Sequence, residues 1–245
     1  MHTGFIFVIL FAIPSVCFAE VPDHSIWDNL LEKYVTENGF VRYESLLDEQ
    51  DSLKKYLQVL SENPPQNTWS RAEKLAYWIN AYNAFTLDLI LENYPLESIN
   101  DIGGWLQIPF VNSVFDKKFF EIGGEKMSLN NIEHGIIRKE FDEPRIHFAV
   151  NCASVSCPPL RREAYKAESL DRQLQEQAIR FINDPDKNKI GRVHLELSKI
   201  FQWYTGDFKK NSTLIGFINR YTDTGIDPDA KIDYLDYDWG LNEAR

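Results

Sequence analysis

Positive charge is what this sequence has least of. Lys and Arg number 26 against 37 Asp and Glu in 245 residues, a formal net charge of −11. Releasing counterions from phosphates needs a basic stripe, so no nucleic-acid partner is expected, nor docking on an anionic membrane surface. Internal repeats, low-complexity tracts and long linkers are absent. So are the G-x-G-x-x-G, P-loop, H-E-x-x-H and G-x-S-x-G signatures. Cysteine is sparse, and Cys152 and Cys157 are separated by four residues, which excludes the C-x-x-C of a thioredoxin-like site. Asp227, Asp229 and Asp238 suggest a calcium loop, but Lys231 takes a ligand position and Ile232 the place of the required glycine.

What is present can fill a core. The composition is 44% hydrophobic, with 16 Phe, 11 Tyr and 6 Trp, too much burial for a disordered chain. The one long uncharged apolar run is Phe5 to Phe18, followed by the small residue Ala19. It is short for a bilayer span and reads as a secretory signal over residues 1–19, despite an n-region with only His2 and the amino terminus. Cleavage removes Cys17 and predicts a secreted or periplasmic protein with no membrane contact afterwards. Residues 20–245 are expected to form a single domain.

Helical spacing appears in Ile26, Trp27, Leu30, Leu31 and Tyr34, with Gly39 as the expected stop, and again from Leu53 to Leu60 before Pro64-Pro65. Ser70 with Glu73 forms a capping box, and Leu75 to Leu91 then runs without Gly or Pro, apolar on nearly every side. Such a helix is a buried one. Lys117–Ile122 and Glu125–Met127 read as a hairpin around Gly123-Gly124, and Ser128 as the cap of a helix through Arg138. Arg145–Val150 reads as a strand, Leu170–Phe181 as a helix, Val193–Leu197 as a strand, Leu214–Tyr221 as a helix and Ile232–Trp239 as a strand. Without a regular βαβ count the expected class is α+β: a long buried central helix packed with further helices against a small mixed or antiparallel sheet.

The segment from Arg145 to Leu160 carries His147, Asn151, Cys152, Ser154, Ser156 and Cys157 in and around a turn-like loop ending in two prolines. Loops fed by rigid elements are where reactive side chains are presented. This segment resembles the family known as domain of unknown function 547, found in bacteria, plants and animals. Further carriers are Leu75-Ala-Tyr-Trp-Ile-Asn-Ala-Tyr-Asn-Ala84, Ser128-Leu-Asn-Asn-Ile-Glu-His134 with Arg138, and Leu197-Ser198 with Phe201, Trp203 and Phe208. Tyr237-Asp-Trp-Gly-Leu-Asn242 closes the series, which runs from Trp27 to Asn242. The resemblance implies no established activity. Some multi-domain plant members carry a glutaredoxin-like domain, a hint of thiol chemistry.

Read on its own residues, Cys152 is a candidate nucleophile, because a thiolate is the most easily activated side chain for acyl transfer. Competing readings are a Cys152–Cys157 disulfide stapling the loop, or a pair of inert buried thiols. In a strand, His147 and Cys152 face opposite sides, so His134 is the preferred base and His147 the second. Glu133 or Asn80 would orient the imidazole, with Arg138 beside it. Asn151 and amides near Ser154 would steady an oxyanion. Asn80 and Asn83 must be hydrogen-bonded in so apolar a helix, either clamping backbone or contacting substrate, and Cys157 and Arg138 are further candidate substrate contacts. His134, His147, Cys152 and Cys157 are zinc ligands in type, but their spacing fits no compact knuckle, so neither metal nor cofactor is expected. His194 is placed on the surface.

Three functions are therefore in view. The first is a thiol-dependent hydrolase or acyltransferase acting on a small-molecule or peptide substrate. The second is a non-catalytic binding domain stapled by Cys152–Cys157, with Trp78, Trp203 and Trp239 lining grooves. The third is a thiol–disulfide exchanger.

Overall fold

The computed structural model of the chain describes residues 20–102 and 113–244. The expected leader, residues 1–19 with Cys17, lies outside the described residues.

Helix α1 (Ser25–Tyr34) begins where the Asp23 carboxylate accepts the Ser25 amide at 3.0 Å, and it buries Trp27, Leu30, Leu31 and Tyr34. It ends five residues before Gly39, because Val35 turns extended and bridges Val41. Gly39 instead serves the intervening turn at φ +80°, where a Cβ would overlap Pro159. A short helix α2 (Tyr43–Leu46) leads to α3 (Gln50–Glu62), which ends before the double proline as the sequence predicts.

Helix α4 (Arg71–Leu91) is the expected central helix. The Ser70 hydroxyl accepts the Glu73 amide at 3.2 Å and the Glu73 carboxylate accepts the Ser70 amide at 2.6 Å, closing the capping box. Every side chain from Leu75 to Leu91 is buried. The Tyr77 hydroxyl donates to the Leu60 carbonyl at 2.6 Å, and Phe85 stacks on Phe120 at 3.9 Å, so α4 is packed by α3 on one side and a hairpin on another. Strands β1 (Phe120–Ile122) and β2 (Glu125–Met127) pair antiparallel, Phe120 opposite Met127. Gly123 and Gly124 both take positive φ, as a two-residue hairpin turn of the I′ type requires.

Two segments depart from expectation. The turns from Asn131 to Ile137 form a π-helix, which passes into a short helix α5 (Arg138–Glu140). Ser128 does cap it, its hydroxyl accepting the Asn131 amide at 3.1 Å. Arg145–Val150 is not a strand. Pro144–Phe148 is a 3-10 turn, started by the fixed φ of Pro144 and by the Glu143 carboxylate, which accepts the Arg145 amide at 3.2 Å. The alternation of Ile146, Phe148 and Val150 reflects burial on two sides. Ile146, Ala149 and Val150 join the core around α4, whereas Phe148 enters a second core.

That second core is largely phenylalanine. Phe148 meets Phe181 at 5.1 Å and Phe208 at 5.6 Å, with Phe201 and Phe217 completing the cluster. Its elements are α6 (Leu170–Ile182), α7 (Lys199–Trp203), α8 (Thr205–Phe208) and α9 (Leu214–Ile218). A small mixed sheet covers it: β3 (Lys189–Ile190) antiparallel to β4 (His194–Leu197), and β4 parallel to β5 (Lys231–Tyr234). The strand expected over Ile232–Trp239 thus stops at Tyr234. Beyond it, the tail pairs with the cysteine loop and the N-terminal region, the Asn242 amide donating to the Ala153 carbonyl and the Val41 amide to the Asn242 carbonyl. His194 is exposed, 2.8 Å from Asp233. The α+β class and the long buried helix stand as read. Among the described residues no helix is long and apolar enough to cross a membrane.

His24, just before α1, is buried and pairs with the Tyr56 hydroxyl at 2.8 Å. Burial holds its imidazole down to about 4, against the pull of Asp28 and Asp23. An unfolded chain binds this proton near pH 6.5, so His24's share of stability is complete above that pH and is lost as pH falls towards 4. That share amounts to about 3 kcal/mol. Urea unfolding at pH 7 and pH 4.5 checks this: the wild type should lose more stability between the two than His24→Phe. Equal losses would remove the role of His24.

Candidate functional site: a dithiol loop held against the central helix

The loop from Ala149 to Pro159 is buried yet irregular, so each of its backbone polar groups needs a partner from elsewhere. Asn83 supplies two. Its amide donates to the Ala149 carbonyl at 3.0 Å and its side-chain carbonyl accepts the Asn151 amide at 2.8 Å. One turn earlier, Asn80 clamps Tyr165 in the same way, at 2.8 and 2.9 Å. Both are buried, so of their two expected roles the structure assigns backbone clamping. Asn151 staples the loop to itself, donating to Pro158 at 2.7 Å and accepting from the Ala153 amide at 2.9 Å. Gln177 holds the two ends, donating to the carbonyls of Phe148 and Pro159.

These clamps hold Ala153 at φ +61°, the one non-glycine residue with positive φ among the described residues. That conformation costs an L-residue about 1–2 kcal/mol. It turns the chain so that the Cys152 and Cys157 sulfurs face each other at 3.0 Å as free thiols. The two sulfurs are thus near each other and unbonded. The Cys152 amide also donates to the Cys157 sulfur at 2.9 Å.

The two thiols are unlike. Cys152 is half-buried, and its sulfur lies 3.2 Å from the Ser154 hydroxyl and 3.3 Å from the Tyr237 hydroxyl. Hydrogen bonding from Cys157 holds the Cys152 thiol below the usual range against its own desolvation, with help from Ser154 and Tyr237. Cys157 is buried, and burial, followed by the hydrogen bond to Cys152 and the negative charge there, pushes its thiol well up. Ser154 donates to the Tyr237 hydroxyl at 3.1 Å, leaving the tyrosine proton for Cys152. Burial and the neighbouring sulfurs keep Tyr237 protonated. Its ring packs at 4.7 Å against both Trp203 and Trp239. A cleft of about 840 Å³ opens beside the loop, lined by Asn151, Ser154, Cys157, Pro159, Lys187 and Asp238 among others.

The histidines gather elsewhere. His147 is buried, its Nε2 2.7 Å from Asp207 and its ring stacked on Tyr204 at 3.8 Å. The strand-parity reason for ranking it second therefore falls, since it sits in a 3-10 turn. Burial lowers its basicity, while the hydrogen bond from His147 holds Asp207 well below the carboxylate range, reinforced by Arg138. Arg138 grips Asp207 with two bonds, at 2.6 and 3.2 Å, and donates to His134 Nδ1 at 2.9 Å. Glu133 is buried 4.0 Å from His134. Among the described residues no histidine hydrogen-bonds either thiol, and no three His, Cys, Asp or Glu side chains converge as a metal site. The structure thus brings together Cys152, Cys157, Ser154 and Asn151, and separately Glu133, His134, His147 and Arg138. The Trp203-Tyr204 dipeptide touches both groups, Trp203 on the Tyr237 side and Tyr204 on the His147 side.

Sequence reasoning missed Tyr237 and Asp207 as site residues. Tyr237 opens the closing block of the family resemblance, which was the available signal. Asp207 had none.

Fold and site together define an α+β domain whose buried central helix supports a dithiol loop. Residues 66–182 match the family described as "Protein of unknown function, DUF547". The match covers α4, the π-helix, the cysteine loop and α6, but not Trp203 or Tyr237, so it is narrower than the resemblance read from Trp27 to Asn242. No curated protein and no solved structure matches the chain.

Asn83→Ala would strand a buried carbonyl and a buried amide of the loop, and should cost about 2–4 kcal/mol. A urea midpoint equal to that of the wild type would show that the loop finds other partners.

Proposed function

We propose that the protein is a dithiol–disulfide exchanger in which Cys152 attacks and Cys157 resolves. The observation that carries this reading is a pair of unbonded thiols 3.0 Å apart, one half-buried and stabilised as thiolate, the other buried and held protonated. Exchange needs an accessible thiolate to start and a second thiol within reach to finish. The Cys152 thiolate attacks one sulfur of a small-molecule or peptide disulfide. The substrate S–S bond breaks, and its other sulfur leaves as thiolate and takes a proton from water. Cys157 then loses its proton and attacks the Cys152 sulfur, expelling the second substrate thiol. The dithiol is oxidised by two electrons and the substrate disulfide reduced, and the reverse sequence donates the disulfide.

The thiol-hydrolase reading is less well supported. An amide leaving group needs a proton, and the residues bonded to Cys152 are Cys157, Ser154 and Tyr237 rather than an imidazole. The uncharged run before Ala19 fits the exchanger, because a secreted or periplasmic setting is where disulfides persist. The exported protein should begin near Glu20, and N-terminal sequencing of the extracellular or periplasmic fraction checks this. Full-length protein kept in the cytosol would refute it.

The exchanger itself is tested by alkylation. In the reduced protein at about pH 6.5, iodoacetamide should label Cys152 rapidly, although an ordinary cysteine with pKa about 8.5 is mostly protonated there. Cys157→Ser should accumulate a mixed disulfide between Cys152 and glutathione when given oxidised glutathione. Labelling of both thiols with one ordinary pH profile, and no mixed disulfide, would end the proposal.

A further inference from the structure

The surroundings of the Cys152 sulfur also suit a smaller oxidant, besides a disulfide. Its neighbours Cys157, Ser154 and Tyr237 lie within 3.3 Å, and Trp203 and Trp239 pack on the Tyr237 ring. A disulfide must reach a sulfur in line with its own S–S bond, which brings a substituent along with each sulfur. A hydroperoxide presents a terminal oxygen bearing only hydrogen. The Ser154 and Tyr237 hydroxyls, 3.1 Å apart and both beside the sulfur, are polar partners matched to a group of two adjacent oxygens. The Tyr237 ring itself is flanked by Trp203 and Trp239. Trp203 is 47% exposed, unusual for so large an apolar residue, and its ring lies 6.0 Å from that of Trp239 in a stacked arrangement.

From these contacts we infer that Cys152 reduces small organic hydroperoxides, the apolar tail lying on Trp203 and Trp239 and the peroxide oxygens meeting Tyr237 and Ser154. The inference rests on the dithiol reading above and names a second substrate class for the same pair. The Cys152 thiolate attacks the terminal oxygen. The O–O bond breaks, the hydroxyl passes to sulfur as a sulfenic acid, and the departing alkoxide takes the Tyr237 proton, which solvent restores through Ser154. Cys157 then attacks the sulfenic sulfur, and the expelled hydroxide leaves as water with the Cys157 proton. The dithiol loses two electrons and the peroxide gains them. A dithiol reductant from the surroundings regenerates the pair by exchange.

The experiment uses the reduced full-length protein with cumene hydroperoxide and with hydrogen peroxide, followed by quenched alkylation and intact mass. The wild type should form an intramolecular disulfide with cumene hydroperoxide, faster than with hydrogen peroxide and faster than free cysteine reacts at the same pH. Cys157→Ser should instead yield a dimedone adduct on Cys152. Tyr237→Phe should slow the reaction about tenfold, as the loss of one hydrogen bond to a charged group does. Trp203→Ala should shrink the preference for cumene hydroperoxide. Oxidation no faster than that of free cysteine, or equal rates with the two peroxides, would overturn the inference. Oxidised glutathione serves as the control: reaction with it but not with hydroperoxide defeats this inference alone, and failure with both also defeats the exchanger.

Discussion

The pairing of buried amide side chains with irregular backbone is the constraint on which the rest of the structure depends. An irregular loop in a protein interior has no ladder partners, and each unpaired amide or carbonyl there costs about 1–3 kcal/mol. Asn83 of α4 meets the loop at Ala149 and Asn151, Asn80 meets the chain again at Tyr165, and Gln177 of α6 closes its ends. Because these side chains come from helices fixed by their own apolar packing, they can hold Ala153 in a strained conformation. The strain in turn sets the two sulfurs face to face. Rigidity of the helix and chemistry of the loop are one arrangement.

The sulfurs differ because they stand on opposite sides of a balance between desolvation and hydrogen bonding. Burial penalises a thiolate at both positions. At Cys152 the penalty is outweighed by hydrogen bonding, foremost with Cys157 and then with Ser154 and Tyr237. At Cys157 little opposes it, and the charge next door adds to it. One negative charge is thus favoured at the half-buried sulfur and disfavoured at the buried one, the polarity a sequential attack and resolution requires.

The acid–base cluster around Asp207 has a different part. Arg138 follows the π-helix beside α4, His147 belongs to the 3-10 turn at the seam between the two cores, and Asp207 lies in α8 of the phenylalanine core. The Asp207 carboxylate joins the other two. Removing it would leave a buried imidazole and a guanidinium without their shared partner, so the cluster ties the two cores together. It also accounts for the histidines being engaged away from the thiols.

The sequence by itself determined what depends on neighbours along the chain. The capping box of α4, the Gly123-Gly124 turn, the burial of Leu75–Leu91 and the α+β class are products of local hydrogen bonding and periodicity, and they were legible. So were the crowding of Cys152, Ser154 and Cys157 into one loop and the need of Asn80 and Asn83 for partners. Arg145–Val150 misled because alternating apolar residues signal burial on two faces, which a 3-10 turn lodged between two cores also satisfies. Which partners those amides would find, and whether a histidine would meet Cys152, depended on chain segments far apart in sequence. Tyr237 reaches Cys152 across 85 residues and Asp207 reaches His147 across 60. Contacts at such separations leave no periodicity to read. They are settled only when the apolar cores close and fix which polar groups are left within reach of one another.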